Sequence, residues 1–230
     1  MLQLESVRKV YRKKQDEVVA LDTANLEIPR GDYVAIIGPS GSGKTTLLSI
    51  LGAMSAPSEG RILLDGESVY DLPINARAEL RQNKIGFVFQ TFNLIPYLTA
   101  MENVQIPMLL ANKHQGQQQQ KAEELLHKVG LQDRLHHKPA ELSVGQQQRV
   151  ALARMLANDP AIILADEPTG NLDPATKEQV MSFLAQFNEE GRTIVMVTHD
   201  LSAAECAKRT LTLTDGTIHC ESEDSLLISA

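Results

Sequence analysis

Nine consecutive residues, Gly38, Pro39, Ser40, Gly41, Ser42, Gly43, Lys44, Thr45 and Thr46, satisfy the pattern G-x-x-x-x-G-K-[ST] and could hold a polyphosphate. Glycines let the backbone wrap closely around phosphate oxygens, with several N–H groups turned inward as an anion nest. A helix starting there adds the positive end of its dipole. Lys44 supplies a charge for the β- and γ-phosphates, and the Thr45 hydroxyl is a ligand for Mg²⁺. The bland alternative is a flexible turn with a surface lysine. Average residue usage puts a chance match to the pattern at about one per hundred chains of this length, before the flanking strand and helix are required.

Two carboxylates follow an apolar run in Ile162-Ile163-Leu164-Ala165-Asp166-Glu167. Asp166 is placed to hold Mg²⁺ through a water, and Glu167 beside it to take a proton from an attacking water, a general-base role in which geometry comes before pKa. An isolated Asp-Glu pair often does no more than open a turn, here before Pro168. The phosphate loop upstream makes that the minor reading. His199 follows the run Thr193–Thr198, and Gln90 ends Ile85–Gln90. A lone histidine is more often structural, but at a strand end His199 suits a γ-phosphate sensor. Gln90 could touch both Mg²⁺ and the attacking water.

These groups need a sheet to carry them. Tyr33–Ile37 is a short, dense apolar run of the kind a strand buried on both faces shows, and Lys44–Met54 has helical spacing. Met1–Val10, Val18–Ile28 and Arg61–Leu64 read as further strands, the last two ending at Pro29-Arg30-Gly31 and Asp65-Gly66 turns. With Ile85–Gln90, Ala161–Ala165 and Thr193–Thr198, each near a helical segment, the pattern is an α/β fold with a mainly parallel sheet whose carboxyl edge carries the chemistry. From about Thr91 to Asn158 apolar residues recur at helical intervals instead, which predicts a helical lobe. The glutamine-rich stretch Gln115–Lys121 within it reads as a solvated helix start or loop.

The formal charge of −7 argues against nucleic acid as a partner. Cys206 and Cys220 have no paired spacing, which fits a reducing compartment, the cytoplasm by default. No stretch reaches the roughly 18 uninterrupted apolar residues that a spanning helix needs, so any membrane role is peripheral. His136 and His137, with His127, are expected to be solvated rather than zinc ligands.

Leu142-Ser143-Val144-Gly145-Gln146, opening a helix toward Met155, resembles the LSGGQ signature of the ABC (ATP-binding cassette) transporter ATPases. The order of phosphate loop, strand-end glutamine, signature, acidic strand end, Asn171-Leu172-Asp173 and histidine is that of the family, from Tyr11 to about Gly216. The resemblance implies a single cassette over 1–230. Within it, 1–90 and 159–230 would form a P-loop NTPase core with an N-terminal antiparallel β subdomain, and 91–158 an inserted α-helical signature lobe.

It also implies an ATPase with Mg²⁺ as cofactor, closing head to tail as a homodimer around two ATP. Leu142 to Gln146 of one copy would face the γ-phosphate held by Lys44 of the other. Asp173 would couple the two sites, and Tyr11 would stack on adenine, although an exposed strand aromatic is nearly as common a reading. The partner is a transmembrane permease, which would hold the chain on the inner face of the cell membrane with only indirect membrane contact. Thr91–Thr99, Asp166–Asp173 and Val195–Asp200 are similar to the subgroup serving macrolide export and lipoprotein release.

Phe92–Leu98 is either a groove for a permease helix or packing within the lobe. Val144 stands where the family commonly has glycine, and would be strained there if φ were positive. A DNA-repair ATPase of the same nucleotide site would need a long coiled coil between Gln90 and Leu142, and none is present. A GTPase would need N-K-x-D, which neither Asn83-Lys84 nor Asn112-Lys113 continues into.

Overall fold

The computed structural model describes residues 1–13 and 16–220. The expected range 1–230 therefore includes residues 14–15 and 221–230, which lie outside the described residues. Two sheets form. Strands β1 (Leu2–Lys13), β2 (Asp16–Ile28), β4 (Glu59–Leu64) and β5 (Glu67–Ser68) make an antiparallel sheet in the order β2-β1-β4-β5. The larger sheet contains β3 (Tyr33–Ile37), β6 (Ile85–Phe89), β7 (Ile162–Asp166), β8 (Thr193–Val197), β9 (Arg209–Thr214) and β10 (Thr217–Cys220). Its order is β10-β9-β3-β8-β7-β6, parallel throughout except for the β9–β10 hairpin.

The continuous apolar runs follow from burial on both faces of this sheet. Along β3, Tyr33 and Ala35 enter one core while Val34 and Ile36 enter the other; Ile194 and Met196 alternate with Val195 and Val197 along β8 in the same way. One core packs against helix α1 (Lys44–Leu51) and the antiparallel sheet. The other packs against α3 (Ala100–Leu110), α4 (Gln115–Lys128), α5 (Val144–Met155) and α6 (Pro174–Glu189). Helices α2 (Ile74–Lys84) and α7 (Leu201–Ala204) complete the fold.

The glutamine-rich stretch opens α4 as a solvated helix start, with the exception of Gln118, which is buried, its amide donating to the Lys113 carbonyl at 2.6 Å to close the preceding turn. In Phe92–Leu98, Phe92 and Leu94 pack against the core, and Tyr97 stands exposed. Asn93 and Pro96 are exposed as well, so this stretch both packs on the lobe and keeps free surface. Cys206 is a free, exposed thiol, and the Cys220 side chain lies outside the described part.

Candidate functional site

Sheet register brings together groups far apart in sequence. Ile36 pairs with Val197, Val197 with Asp166, and Asp166 with Phe89, so one row of residues crosses the carboxyl edge from β3 to β6. The next residues along these strands are those singled out above: Gln90, Glu167 and, after Thr198, His199. Open parallel sheets bind ligands at this edge.

The phosphate loop leaves β3 and enters α1 through Gly43, whose φ of 104° lies in the left-handed region. A Cβ at Gly43 would collide with the Ala20 carbonyl oxygen, so both the conformation and the close approach of β2 require glycine. No side chain caps α1, and its first N–H groups remain available to an anion. Lys44 Nζ donates to the carbonyl oxygens of Gly38 at 2.7 Å and Pro39 at 2.8 Å, which curls the ammonium over the loop.

Below the loop, the Thr45 hydroxyl donates to Asp166 Oδ1 at a long 3.4 Å. Burial pushes the Asp166 carboxyl above its ordinary range; the Thr45 hydrogen bond and Lys44 pull it back, while the Glu167 charge adds to the rise. A half-buried carboxylate short of positive charge, next to a hydroxyl slightly beyond good hydrogen-bond reach, is a donor set suited to a small oxygen-seeking cation. Among the described residues no three acidic, histidine or cysteine side chains converge on one point. Most ligands of such a cation would therefore come from phosphate and water.

Glu167 adopts φ 47°, rare for a residue with a side chain, and its N–H donates to the Val197 carbonyl at 3.0 Å. Its side chain is nearly buried. Oε1 lies 2.8 Å from His199 Nδ1, and Oε2 accepts from the Thr198 hydroxyl at 3.4 Å. Gln90 lies over Gly170, where a Cβ would come within 2.8 Å of the Gln90 amide nitrogen. Tyr11, Val18, Ala20, Ser40, Gly41, Gly43, Lys44, Thr45, Thr46, Asp166 and Glu167 line one open cavity of about 430 Å³. Sequence reading had missed Val18 and Ala20. Register pairs Val18 with Tyr11, but alternation along β2 alone gives no sign that its end meets the phosphate loop.

The signature segment is elsewhere: none of Leu142, Ser143, Val144, Gly145 or Gln146 lines that cavity. Ser143 caps α5, its hydroxyl accepting from the Gln146 N–H at 3.2 Å while Gln146 Oε1 accepts from the Ser143 N–H at 2.9 Å. Leu142 is buried and anchors the turn. Val144 is the first residue of α5, is not among the positive-φ residues, and is half exposed, so valine fits there without backbone strain. Gly145 abuts α6, where a Cβ would come within 2.7 Å of Thr176 Cγ2. Asp173 caps α6 through the Thr176 N–H at 3.1 Å and hydroxyl at 2.6 Å. One turn on, Lys177 pairs at 3.0 Å with Asp200, which caps α7 next to His199.

Known proteins share this fold. Residues 21–170 match the family model described as ABC transporter. An uncharacterized ABC transporter ATP-binding protein of Thermotoga maritima is 49% identical, over 95% of this chain and 93% of its own length. The macrolide export ATP-binding/permease protein MacB of Syntrophobacter fumaroxidans is 48% identical over 96% of this chain, which spans 32% of that longer protein. A dimeric post-hydrolysis structure of the ATP-binding cassette MJ0796 of Methanocaldococcus jannaschii, bound to ADP and Pi, superposes with a TM-score of 0.88 at 44% identity, covering 96% of this chain and 97% of that one. With the phosphate loop, the strand-end carboxylates and the signature helix all in place, the chain belongs to the ABC transporter family and is one of its ATP-binding, ATP-hydrolysing cassettes.

Proposed function

We propose that two copies of this chain close head to tail around two MgATP and reopen on hydrolysis, driving a separate membrane permease of the export or lipoprotein-release type. The observation that carries this reading is the division of the site. A phosphate loop, a cation-binding pair and a base share one cavity, while a helix start suited to the same anion lies outside it, exposed and preformed. In the closed pair, Ser143, Val144, Gly145 and Gln146 of one copy face the γ-phosphate held by Lys44 of the other, and Leu142 anchors them.

Thr45, Gln90 and Asp166 would hold the cation, which when bound neutralises charge on the β- and γ-phosphate oxygens. Gly38 through Thr46 cradle the phosphates, and Tyr11 stacks on the adenine. Glu167 accepts the proton of the attacking water. His199, 2.8 Å away, orients that carboxylate and senses the γ-phosphate. Asp173 couples the sites across the interface. The helical segment 91–158 acts as the signature lobe on the core formed by 1–90 and 159–230.

Membrane contact runs through the permease, at the cytoplasmic face. No helix among the described residues is long and apolar enough to cross a bilayer. For docking, an apolar groove of about 650 Å³ between core and lobe, lined by Met54, Phe87, Phe89, Ile106, Pro107 and Leu110, offers a surface in addition to Phe92–Leu98. The test is to isolate the Glu167→Gln chain from its native membrane in mild detergent and identify what travels with it. A permease with a large periplasmic domain supports the proposal; a DNA-repair complex overturns it.

A further inference from the structure

The nucleotide reading uses the start of α5 but leaves unexplained a polar side chain one turn further in. Gln148 is completely buried, and its amide nitrogen donates to the Pro168 carbonyl at 2.7 Å. Its Oε1 has no partner. Burying an amide oxygen without a donor is costly, so packing alone gives no reason for a glutamine where an apolar residue would fit. What the residue does supply is one directed hydrogen bond from the signature helix to the Pro168–Thr169 peptide, one residue beyond Glu167.

That peptide is the central one of the turn from Glu167 to Gly170, which carries the base. Glu167 is held at φ 47°, a conformation that persists only when its surroundings over-determine it. Its own N–H is fixed by Val197, and the Gly170 N–H donates to its carbonyl at 3.1 Å. The carbonyl of Pro168, which follows, is held by Gln148. Loss of that bond frees the Pro168–Thr169 peptide at the centre of this turn, and with it the backbone conformation that aims the Glu167 carboxylate.

We infer that Gln148 is a positioning residue for Glu167 of its own subunit. Because Gln148 and Ser143 ride on the same helix, the base of one site and the signature serving the other form a single mechanical unit. This inference rests on the two-ATP dimer proposed above.

The experiment uses full-length chains with Gln148→Met, which keeps length and burial but removes the donor. As a homodimer it should lose turnover roughly tenfold to hundredfold, with KM for MgATP within about twofold, as expected of a displaced base. A buried truncation on the same helix, Val150→Ala, should lower the melting temperature at least as much without that loss. Mixed dimers isolated on two affinity tags then assign the effect. With Glu167→Gln and Gln148→Met in the same subunit, turnover should equal that of a dimer carrying Glu167→Gln alone in one subunit. With the two changes in opposite subunits, turnover should fall by the same factor as in the homodimer.

The reverse pattern would mean that Gln148 acts through the signature on the partner's site, and overturns the inference, as does a homodimer with native kcat. Dimerisation of Glu167→Gln on ATP, with Gln148 native, tests the two-ATP reading separately. Its failure would remove that reading, whereas native turnover of Gln148→Met with dimerisation intact removes only this inference.

Discussion

Helix α1 starts at Gly43, in a left-handed conformation with no side chain to cap it, whereas α5 starts at Ser143 with both arms of a capping box closed. Both helix ends are built for an anion, but they offer it different things. The α1 end keeps its backbone donors open and brings Lys44, so it can bind phosphate within one chain. The α5 end has spent two of its donors and acceptors on itself. It is therefore rigid before any ligand arrives, and has its dipole, the Ser143 hydroxyl proton and its remaining N–H groups to add. In the proposed pair, the first is the receptor for ATP, and the second is a preformed surface for ATP already held by the other copy.

The largest expected effect that could break this comparison is from Glu167→Gln, which keeps shape and removes the proton acceptor. Turnover should fall about 10²- to 10⁴-fold with ATP binding spared. Because the two helix ends then stay on one triphosphate, size-exclusion chromatography with MgATP should show a stable dimer. A monomer under those conditions would mean that the α5 end never meets the α1 end. Next in size, Lys44→Ala should weaken ATP binding to the isolated chain roughly tenfold to hundredfold, since it removes a charge-assisted contact. Equilibrium dialysis would check this, and unchanged affinity would show that the α1 end is not the primary receptor.

Ser143→Ala sharpens the contrast from the other side. It should cost about 1 kcal/mol of stability through loss of the cap, read in a denaturant melt, while ATP affinity of the isolated chain stays at the native value. A fall in that affinity would place the signature in the primary site.

The smallest effect concerns the cap of α7. The Ser202 hydroxyl and Lys177 hold the Asp200 carboxyl down to about 2. The folded chain thus keeps this carboxylate ionised where the unfolded chain takes up a proton. The stability it contributes is complete above the ordinary carboxylate range and disappears as pH falls toward about 2. Lys177→Gln should flatten this part of the acid-unfolding curve; an unchanged curve would show that the pair holds nothing in place.

Much of the site was legible because its parts are short and contiguous. A glycine-rich loop between a buried strand and a helix specifies its own anion nest, Ser143 and its neighbours open a helix, and two carboxylates end an apolar strand. Less legible was anything that depends on which segments become neighbours. Whether Val144 is strained depended on its φ, and its place as the first helical residue removed the need for a positive one. Phe92–Leu98 could be read as docking surface or as lobe packing, because apolar content does not reveal which side faces the core.

The sequence by itself determined the chemistry at each strand end and helix start, since backbone geometry and residue type act there over a few consecutive positions. Only the tertiary structure decided that Tyr11 and Val18 reach the phosphate loop, that Glu167 meets His199, and that Gln148 reaches across to Pro168. Those meetings are set by strand order and by how α5 packs on the sheet, through contacts between segments too distant in the chain for local spacing to encode.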